Sequence, residues 1–565
     1  MHKLLADSPG KKMLLLGNEA IARGAIEAGV AFATTYPGTP SSEISLNLFQ
    51  VSQESDLYFE YSTNEKVALE VAAGAANSGV RTFCMMKHVG MNVAADPLMT
   101  LAYVGVTAGM VILTADDPFM FSSQNEQDNR YYGKISGLAI LEPSSVKEAR
   151  QMTVEAFDLS EKLGEPVILR TTTRINHSSA FVELGKLTPR QTKGDFKKDP
   201  FNLVTVPAVS RRLHVRLLEN WDRAQAMAEA SPHNFTDGDG PWGIVCNGVS
   251  YNYVSDAVKQ LGIGDKTRVL RLGFSHPTPP NLIKTFLKGC EKVLVAEEGE
   301  PFMEEAIKSF AQEAGLTLPI AGKGEKLFSR LYEFDPAMVL RVIAGYFGVS
   351  YTDSRPPDLS DVPCMGSSIS TSCGFSKATD KKVISFIGDS TFFHSGLTGL
   401  VNAVYNNHNF TLVILDNGTT AMTGHQPNPG VDMAYFNLSG YGRISIEAVV
   451  RAIGVEHVTV IKPYKVKKSI EAVKAAIGYK GVSVIISQEM CTLYARSLKK
   501  LTVRAFRVTD KCKNHRDCID QIGCPAFYLE GERVQINPNT CVGCAVCAQI
   551  CPENAITPVK AKQAG

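Results

Sequence analysis

The length, composition and charge of the chain exclude several classes of protein. Its 565 residues carry 58 basic and 57 acidic side chains, so the formal net charge is +1, whereas a protein that mainly binds nucleic acid needs a basic excess. Hydrophobic residues make up 44% and charged residues 20%, which is ordinary for a folded protein and unlike a disordered one. No apolar run reaches the ~20 residues that span a bilayer, and the first residues do not resemble a signal peptide. We therefore expect a cytoplasmic protein of several domains with no nucleic-acid or membrane partner.

From the amino terminus to about Arg170, short apolar runs alternate with helical patterns. The segment MLLLG (13–17) predicts a buried strand, and NEAIARGAIEAG (18–29) predicts a helix that ends in glycine. VILTADD (111–117) and PVILRTT (166–172) are typical of further strands. This alternation predicts an α/β fold with a mostly parallel, doubly wound sheet.

The same pattern returns after an interruption. Residues 183–240 are rich in turn-forming and charged residues and predict a connecting segment. A second α/β unit is expected over 241–345, and a third over 346–505 with the strands VISFIG and TLVILD. With the first unit (1–182) and a cysteine-rich tail (506–565), the chain is expected to contain several doubly wound parallel-sheet domains and one small appended domain.

The tail contains a dense group of cysteines, which in a chain without an export signal points to metal binding. CVGCAVCAQICP (541–552) has the spacing C-x2-C-x2-C-x3-C-P of a bacterial 4Fe–4S site. A zinc site is the alternative, but zinc prefers two separated C-x2-C pairs. KCKNHRDCIDQIGCP (511–525) resembles a partner run in which His515 replaces the second cysteine.

The spacing predicts two 4Fe–4S clusters in a ferredoxin-like domain, because in two-cluster ferredoxins the fourth cysteine of each run binds the other cluster. The expected ligands are Cys512, His515, Cys518 and Cys551 for cluster one, and Cys524, Cys541, Cys544 and Cys547 for cluster two. An imidazole ligand removes a negative charge and should raise the reduction potential of cluster one. The alternative is that His515 is a bystander and that this cluster has three irons or is labile.

Polar residues also follow two strands of the third α/β unit. Asp389 and Asn417 each come at a strand end, so both should face the crevice beyond the carboxyl ends of a parallel sheet. A carboxylate, an amide oxygen and the backbone carbonyl of Thr419 would supply half of an octahedral shell for Mg²⁺, and phosphate oxygens would suit the remaining places.

This segment resembles the thiamine diphosphate motif, G-D-G followed by N-N, although the chain has GDS and DN at these places. Gly388 would allow a tight turn, and Ser390 and Thr391 would begin a helix whose amino end favours an anion. The alternative is an ordinary βαβ unit in which Asp389 caps a helix.

Thiamine chemistry also requires a carboxylate, shielded from water, that activates the coenzyme. Glu65, at the start of an apolar helix, is the candidate. Ser62-x-x-Glu65 is equally typical of a capping box, so the residue's own surroundings leave both interpretations open.

Motifs along nearly the whole chain resemble the large subunit of indolepyruvate:ferredoxin oxidoreductase. They are YPGTPSSE (36–43), NEKVALEVA (64–72), KHVGMNVAADP (87–97), SSQNEQDNR (122–130), GDSTFFHSG (388–396) and TAMTGHQPNPG (420–430). The resemblance implies oxidative decarboxylation of aryl-2-oxoacids such as indolepyruvate, with coenzyme A as acyl acceptor and ferredoxin as electron acceptor. It implies thiamine diphosphate and Mg²⁺ as cofactors, and a smaller beta subunit in a hetero-oligomer. Units 1–182, 241–345 and 346–505 would be the pyrimidine-binding, transketolase C-terminal-like and diphosphate-binding domains.

The resemblance also implies roles for matching residues. Glu65 would activate the cofactor, and Thr39 would bind the substrate carboxylate. Polar residues around the reacting centre, which could equally be structural, would be His88, His394 and His425. The cofactor would be held by Gly366, Ser367, Gly388, Ser390, Thr391 and Gly418, and its metal by Asp389, Asn417 and Thr419.

One motif departs from the family. Many relatives carry C-x-G-C-P-H before the GD motif, whereas this chain has CMGSSI (364–369). Ser367 could still donate to a phosphate, but Ile369 cannot replace a histidine. Two alternatives therefore stay open: the same chemistry on pyruvate, 2-oxoglutarate or phenylglyoxylate, or an electron-transfer subunit with a degenerate thiamine site. A basic strip from Arg496 to Lys513 fits either an acidic ferredoxin or a solvated linker.

Overall fold

The computed structural model describes residues 2–349, 367–379, 382–421, 424–432, 442–497, 504–520, 522, 524–531 and 533–559. The chain forms two compact units, Met1–Cys364 and Met365–Gly565. Each unit has sheets and apolar cores of its own. Across the described ranges, no helix combines the length and the apolar character needed to cross a membrane.

The first unit contains two large sheets that are packed against helices. Its strands are β1 (Lys12–Leu16), β2 (Phe32–Thr35), β3 (Tyr58–Tyr61), β4 (Thr82–Lys87), β5 (Met110–Asp116), β6 (Ile140–Leu141), β7 (Val167–Thr172), β8 (Ser179–Glu183), β9 (Asn234–Asp237), β10 (Trp242–Cys246), β11 (Thr267–Leu272), β12 (Phe274–His276), β13 (Lys292–Ala296) and β14 (Ile320–Ala321). Its helices are α1 (Gly17–Glu27), α2 (Ser42–Ser52), α3 (Glu65–Asn77), α4 (His88–Val104), α5 (Arg130–Ser136), α6 (Val146–Leu163), α7 (Thr173–His177), α8 (Pro200–Leu203), α9 (Pro207–Glu229), α10 (Ser250–Leu261), α11 (Pro280–Lys288), α12 (Phe302–Glu313) and α13 (Pro336–Phe347).

A seven-stranded sheet with the order β12-β6-β7-β5-β4-β2-β3 organises the first part of this unit. All neighbours are parallel except β12, which runs antiparallel to β6. Phe83 and Met85 of β4 pack into one core with α1 and α6, while Cys84 and Met86 pack into a second core with α3 and α4. The central strands β4, β5 and β7 are buried at every position because helices cover both faces of the sheet.

A five-stranded sheet with the order β14-β13-β10-β11-β9 follows. Strands β10, β11, β13 and β14 are parallel, and β9 runs antiparallel to β11. Ile244 of β10 packs with α10 and α13, and the next residue, Val245, packs with α11 and α12. This sheet is therefore also covered on both faces.

The second unit is smaller. Its strands are β15 (Val383–Gly388), β16 (Phe410–Asp416), β17 (His457–Ile461), β18 (Ser483–Gln488), β19 (Phe506–Val508), β20 (Phe527–Glu530), β21 (Arg533–Ile536) and β22 (Ile556–Pro558). Its helices are α14 (Ser367–Ala378), α15 (Asp389–Thr391), α16 (Leu397–Tyr405), α17 (Ile446–Ala452), α18 (Val466–Gly478), α19 (Thr492–Ser497), α20 (Asp517–Asp520) and α21 (Val546–Ile550). A parallel sheet has the order β15-β16-β18-β17, and the cysteine-rich tail contains the antiparallel pairs β19–β22 and β20–β21.

These sheets confirm the predicted α/β class, with one strand misplaced. The segment MLLLG was expected to be a buried strand of the parallel sheet, but β1 pairs only with β8, antiparallel, and Leu14 is 56% exposed. An apolar run alone cannot show which strand it pairs with. The segment 183–240 includes the 23-residue helix α9, whose Leu213 and Leu217 are buried.

Candidate active site

Glu65 begins α3 in a position sheltered from solvent. The cap of this helix is Asn64, whose Oδ1 accepts a hydrogen bond from the backbone N–H of Val67 at 2.9 Å. The capping-box alternative is wrong, because Ser62 is not the N-cap residue and its hydroxyl donates to Glu60 at 2.6 Å. Glu65 is only 2% exposed, so its carboxylate is shielded from bulk water.

Gly90 on α4 makes room for the Glu65 side chain. A Cβ at position 90 would lie 2.6 Å from Oε1 of Glu65 and 2.7 Å from its Cγ, which is much closer than packed atoms approach. Gly90 belongs to the KHVG sequence, and the sequence pattern alone indicates no role for it. Gly90 matters because it contacts the side chain of Glu65, and residue spacing does not predict such a long-range contact.

The loop that contains Thr39 follows β2 and is fixed by contacts from three directions. Asn18 Nδ2 donates to the carbonyl of Pro40 at 2.7 Å. The hydroxyls of Thr39 and Ser42 lie 3.3 Å apart, and Ser122 Oγ donates to the carbonyl of Thr39 at 3.4 Å. The loop after β5 is thereby joined to the loop after β2.

Thr39 also lines a cavity of about 430 Å³ at this edge of the sheet. Asp117, Ser122, Phe121 and Arg174 form other parts of its wall. The Phe121 ring is 58% exposed, and the guanidinium of Arg174 lies 5.9 Å from its centroid. The volume falls in the range of small-molecule sites.

His88 is held rigidly at the start of α4. Its Nε2 lies 2.9 Å from the carbonyl of Asn125, and its own carbonyl accepts from Gln127 Nε2 at 2.8 Å and from Asn129 Nδ2 at 3.2 Å. Burial lowers the pKa of His88 to about 4. The imidazole is therefore neutral at pH 7, and its Nε2 carries the proton, since a carbonyl can only accept.

Arg130 connects the SSQNEQDNR loop to the second sheet of the unit. Its guanidinium pairs with Asp128 and Glu297 at 2.5 Å each and donates to the carbonyl of Glu298 at 2.7 Å. Burial alone would raise the pKa of Asp128, but the charge of Arg130 holds it at about 2. The loop that contacts His88 is thus anchored by a buried ion-pair network.

In the second unit, Asp389 adjoins the loop after β16. Its Oδ1 accepts from the backbone N–H of Ser390 at 2.8 Å, and its Oδ2 accepts from that of Gly418 at 3.0 Å. Asn417 Oδ1 accepts from the N–H of Thr419 at 3.1 Å. The structure therefore brings together the three residues expected to bind Mg²⁺.

The electrostatics of this cluster fit a divalent cation. Burial raises the pKa of Asp389 to about 6, and the negative charge of Asp416 acts in the same direction. A metal ion would relieve both effects by stabilising the ionised carboxylate. Hard oxygen donors from a carboxylate, an amide and a backbone carbonyl are the set that Mg²⁺ prefers.

Other expected cofactor residues lie around Asp389. Gly388 is the last residue of β15, and Ser390 and Thr391 lie in the short helix α15. Gly418 has φ +69°, a left-handed conformation that favours glycine and lets the backbone turn back toward Asp389.

The CMGSSI motif is only partly described. Gly366 lies outside the described residues, and so does the side chain of Ser367, at which α14 begins. Ile369 is fully buried in the apolar core of this unit. At this position the chain therefore has an apolar core residue.

His394 and His425 lie in irregular segments of the second unit. His394 is 8% exposed and belongs to the π-helical turn Phe392–Gly396, a geometry that is frequent at functional sites. His425 has φ +66°, and its ring stacks on Tyr494 with a centroid distance of 5.3 Å.

The tail cysteines gather into two sets. Cys518 interacts electrostatically with Cys512 and Cys551, and Cys547 interacts in the same way with Cys544 and Cys541. Each group of three belongs to one of the two ligand sets expected from the crossover rule. The remaining cysteine, Cys524, packs in a small core that contains cysteines of both groups, Cys518, Cys541, Cys547 and Cys551. In the described ranges, no three His, Cys, Asp or Glu residues converge tightly enough for a single metal ion.

His515 lines a small cavity together with Cys512, Cys518 and Cys551. Its Nε2 lies 3.1 Å from Oε1 of Glu553, and its side chain is 49% exposed. The residue is therefore close to the predicted set, although its ring is engaged by a carboxylate. Residues 498–503 of the basic strip between Arg496 and Lys513 lie outside the described residues.

Family models match three segments of the chain. "Pyruvate flavodoxin/ferredoxin oxidoreductase, thiamine diP-bdg" matches residues 23–208. "Thiamine pyrophosphate enzyme, C-terminal TPP binding domain" matches residues 350–487, and "4Fe-4S binding domain" matches residues 534–557. These matches support a thiamine diphosphate site and an iron–sulfur site in one chain.

Several curated proteins are similar over the full length. Indolepyruvate oxidoreductase subunit IorA of Methanothermobacter thermautotrophicus is 43% identical, over 99% of this chain and 99% of its own. The subunit of the same name from Archaeoglobus fulgidus is 40% identical, over 99% and 100%. The 2-oxoglutarate synthase subunit KorA of Archaeoglobus fulgidus is 25% identical, over 50% and 87%. The chain therefore belongs to the indolepyruvate oxidoreductase IorA family and is a thiamine diphosphate-dependent, iron–sulfur-containing 2-oxoacid:ferredoxin oxidoreductase.

Proposed function

We propose that this chain, together with a smaller beta subunit, oxidatively decarboxylates aryl-2-oxoacids such as indolepyruvate and phenylpyruvate. One 2-oxoacid anion, one coenzyme A and two oxidised ferredoxins would give the aryl-acyl-coenzyme A, CO₂, one proton and two reduced ferredoxins. The observation that supports an aryl substrate is the difference in sequence identity between two groups of relatives. Full-length relatives at 39–43% are named for indolepyruvate, whereas the 2-oxoglutarate subunit of Archaeoglobus fulgidus is 25% identical over half of the chain.

The first unit would supply the activating acid and the substrate site. Thiamine diphosphate, when bound, supplies the carbon nucleophile and the electron sink for loss of CO₂. Glu65 would hydrogen-bond the aminopyrimidine of the coenzyme through its buried carboxylate. Thr39 would bind the substrate carboxylate. The exposed Phe121 ring on the wall of the same cavity supports an aryl side chain.

The second unit would hold the diphosphate through Mg²⁺. Asp389, Asn417 and the Thr419 carbonyl would be the protein ligands. Ser390, Thr391 and the backbone around Gly418 would lie beside the phosphates. The proposal is supported by the hydrogen bond from the Gly418 N–H to Asp389 and by that from the Thr419 N–H to Asn417. It is also supported by the raised pKa of Asp389, to about 6.

The tail would hold two 4Fe–4S clusters. Cluster one would have Cys512, His515, Cys518 and Cys551 as ligands, and cluster two would have the remaining four cysteines of the tail. Clusters carry single electrons, so two of them suit a two-electron oxidation that ends in two reduced ferredoxins. His394 and His425 stay candidates for polar residues near the reacting centre, as does His88.

The domain boundaries are part of the same proposal. A pyrimidine-binding domain would occupy 1–182, a connecting segment 183–240, a transketolase C-terminal-like domain 241–345, a diphosphate-binding domain 346–505 and a ferredoxin-like domain 506–565. The smaller subunit is inferred from the word "subunit" in the names of the relatives.

Anaerobic purification with the smaller subunit, followed by turnover of a substrate panel, tests the function. We expect indolepyruvate and phenylpyruvate to reduce ferredoxin with a kcat/KM at least about 10-fold above that of pyruvate, 2-oxoglutarate or phenylglyoxylate. A preference for one of the latter would replace the aryl assignment. Absence of bound thiamine diphosphate in an active electron-transfer complex would instead support a degenerate site.

A further inference from the structure

Buried arginines in the first unit are paired with carboxylates. The nearest pairs are Arg23 with Glu27 at 2.6 Å, Arg130 with Glu297 at 2.5 Å, Arg170 with Glu142 at 2.6 Å and Arg271 with Glu148 at 2.5 Å. Each of these arginines is 5% exposed or less. Pairing is expected, because an isolated charge is costly to remove from water.

Lys87 does not follow this rule. It is 6% exposed, and its Nζ donates to the backbone carbonyl of Ser122 at 3.0 Å. Among the residues that the structure describes, no carboxylate forms an ion pair with it; Asp117 and Glu65 interact with it only at longer range. The other buried lysine of this kind, Lys323, lies 4.9 Å from the centroid of the Phe334 ring, so an aromatic face stabilises its charge.

The surroundings of Lys87 place it beside the Thr39 loop. It is the last residue of β4 and directly precedes α4. A Cβ on Gly38 would lie 2.7 Å from both Cγ and Cδ of Lys87, so the lysine stem runs along the residue next to Thr39. Ser122, whose carbonyl accepts from Lys87, also donates to the carbonyl of Thr39.

We propose that Lys87 is a specificity-determining residue that binds the carboxylate of the 2-oxoacid together with Thr39. The proposal deepens the proposed function and rests on it, since it assigns a charge partner to the same substrate site. The ammonium group has N–H donors beyond the one given to Ser122. The substrate carboxylate would provide the negative charge that the buried arginines find within the protein.

The competing explanation is that Lys87 only anchors the loop after β5 through Ser122. The two explanations differ in which ligands should bind less tightly when Lys87 is replaced. A structural anchor affects charged and neutral ligands alike. A charge partner distinguishes a carboxylate from an uncharged group of the same shape, because only the carboxylate gains from the ammonium.

The test uses the complete enzyme with its smaller subunit and cofactors. 3-Phenyllactate and its primary amide serve as unreactive mimics of an aryl-2-oxoacid, and inhibition constants are measured for both. Lys87→Gln removes the charge and keeps an N–H donor for Ser122, while Lys87→Arg keeps the charge. We expect the wild type to bind the acid about 10-fold to 100-fold better than the amide, as for a hydrogen bond to a charged group.

Lys87→Gln should bring the two inhibition constants to within about 3-fold of each other and raise KM for phenylpyruvate by about 10-fold or more, with kcat changed less. Lys87→Arg should keep a preference for the acid. Lys87→Met provides a second neutral variant if the glutamine variant does not fold. Lys323→Met is the matched buried control and should leave the ratio of acid to amide binding unchanged.

Two results would overturn the assignment of Lys87. One is a folded Lys87→Gln or Lys87→Met enzyme that keeps the wild-type preference for the acid. The other is an equal loss of affinity for acid and amide, which is the signature of a structural anchor. If the wild-type enzyme turns over no aryl-2-oxoacid, the proposed function itself is wrong. That result differs from the two that would overturn the role of Lys87, so the experiment distinguishes them.

Discussion

The carboxylate of Glu65 occupies the space that a side chain at Gly90 would need, since a Cβ there would lie 2.6 Å from Oε1. Two helices that start at the same edge of the sheet, α3 and α4, thus meet at a glycine and a buried acid. The contact fixes where the acid can point. A substitution at Gly90 should therefore change the position of the Glu65 carboxylate.

Gly90→Ala should displace Glu65 and lower kcat/KM for the 2-oxoacid by about 100-fold, because a misplacement of about 1 Å has effects of this size. The measurement is ferredoxin reduction by the complete enzyme. Gly74→Ala is the matched control on α3, since nothing lies within 4 Å of its added Cβ. Equal rates of ferredoxin reduction by Gly90→Ala and Gly74→Ala would show that displacement of Glu65 does not lower activity.

Glu65→Gln should reduce decarboxylation by at least about 100-fold while leaving the spectra of the clusters intact, because it removes a general acid–base group. CO₂ release and the EPR spectra of the reduced enzyme provide the two readouts. Normal turnover in this variant would remove the activation scheme. A parallel loss of cluster signals would indicate a folding defect instead.

Asp389→Asn should weaken retention of Mg²⁺ and thiamine diphosphate by at least about 10-fold, since it removes the carboxylate of the proposed shell. Metal and coenzyme contents are measured after gel filtration of the loaded enzyme. Asp416→Asn is the control for a nearby charge, because Asp416 accepts from Gln488 Nε2 at 3.0 Å and is not a proposed ligand. Full retention in the Asp389 variant would contradict the proposed shell.

His515→Ala should change the EPR signal of one cluster and leave the other unaltered. The reason is that only cluster one would lose a ligand. The affected cluster should also show a changed reduction potential in a redox titration. Two unaltered signals would show that His515 is a bystander that pairs with Glu553.

Glu165→Gln should stabilise the protein at alkaline pH. Burial raises the pKa of Glu165 to about 7, and the carboxylate accepts from Asn220 Nδ2 at 2.7 Å. The folded state therefore holds this proton more tightly than the unfolded state, so stability falls as pH rises from the ordinary glutamate range through about 7. Neutral glutamine avoids this loss and should add roughly 1–3 kcal/mol at pH 8.

Thermal unfolding of Glu165→Gln and of the wild type at pH 5 and pH 8 checks this prediction. The Tm difference should be large at pH 8 and small at pH 5. Asn220 can still donate to the amide oxygen of the variant, so the hydrogen bond is retained. A difference that is the same at both pH values would show that the glutamate does not titrate in this window.

Local sequence patterns were sufficient to predict much of the fold. The strands at VILTADD, PVILRTT, VISFIG and TLVILD were predicted to within about two residues, because each contains a short, mainly apolar run bounded by helical or turn-forming sequence. The meeting of Asp389 with the loop after β16 also follows from sequence, since adjacent parallel strands end at one edge.

Long-range contacts could not be predicted in the same way. Nothing in the segment MLLLG indicates that it pairs with β8 outside the main sheet. The ion pair between Arg130 and Glu297 joins residues that are 167 positions apart. The burial of Lys87 depends on the approach of Gly38 and Ser122, which are distant in sequence. Residue spacing describes one element at a time, whereas these features arise where several elements meet.

Strand β12 has a consequence for biosynthesis. This strand, Phe274–His276, forms the edge of the seven-stranded sheet beside β6, although it follows three strands of the five-stranded sheet, β9, β10 and β11, in the chain. The first sheet cannot complete its edge until this strand has left the ribosome, long after its other strands have emerged. A recombinant fragment that ends at residue 182 would lack both that edge and the Glu297 partner of Arg130. The two sheets of the first unit should therefore be expressed and folded as one piece.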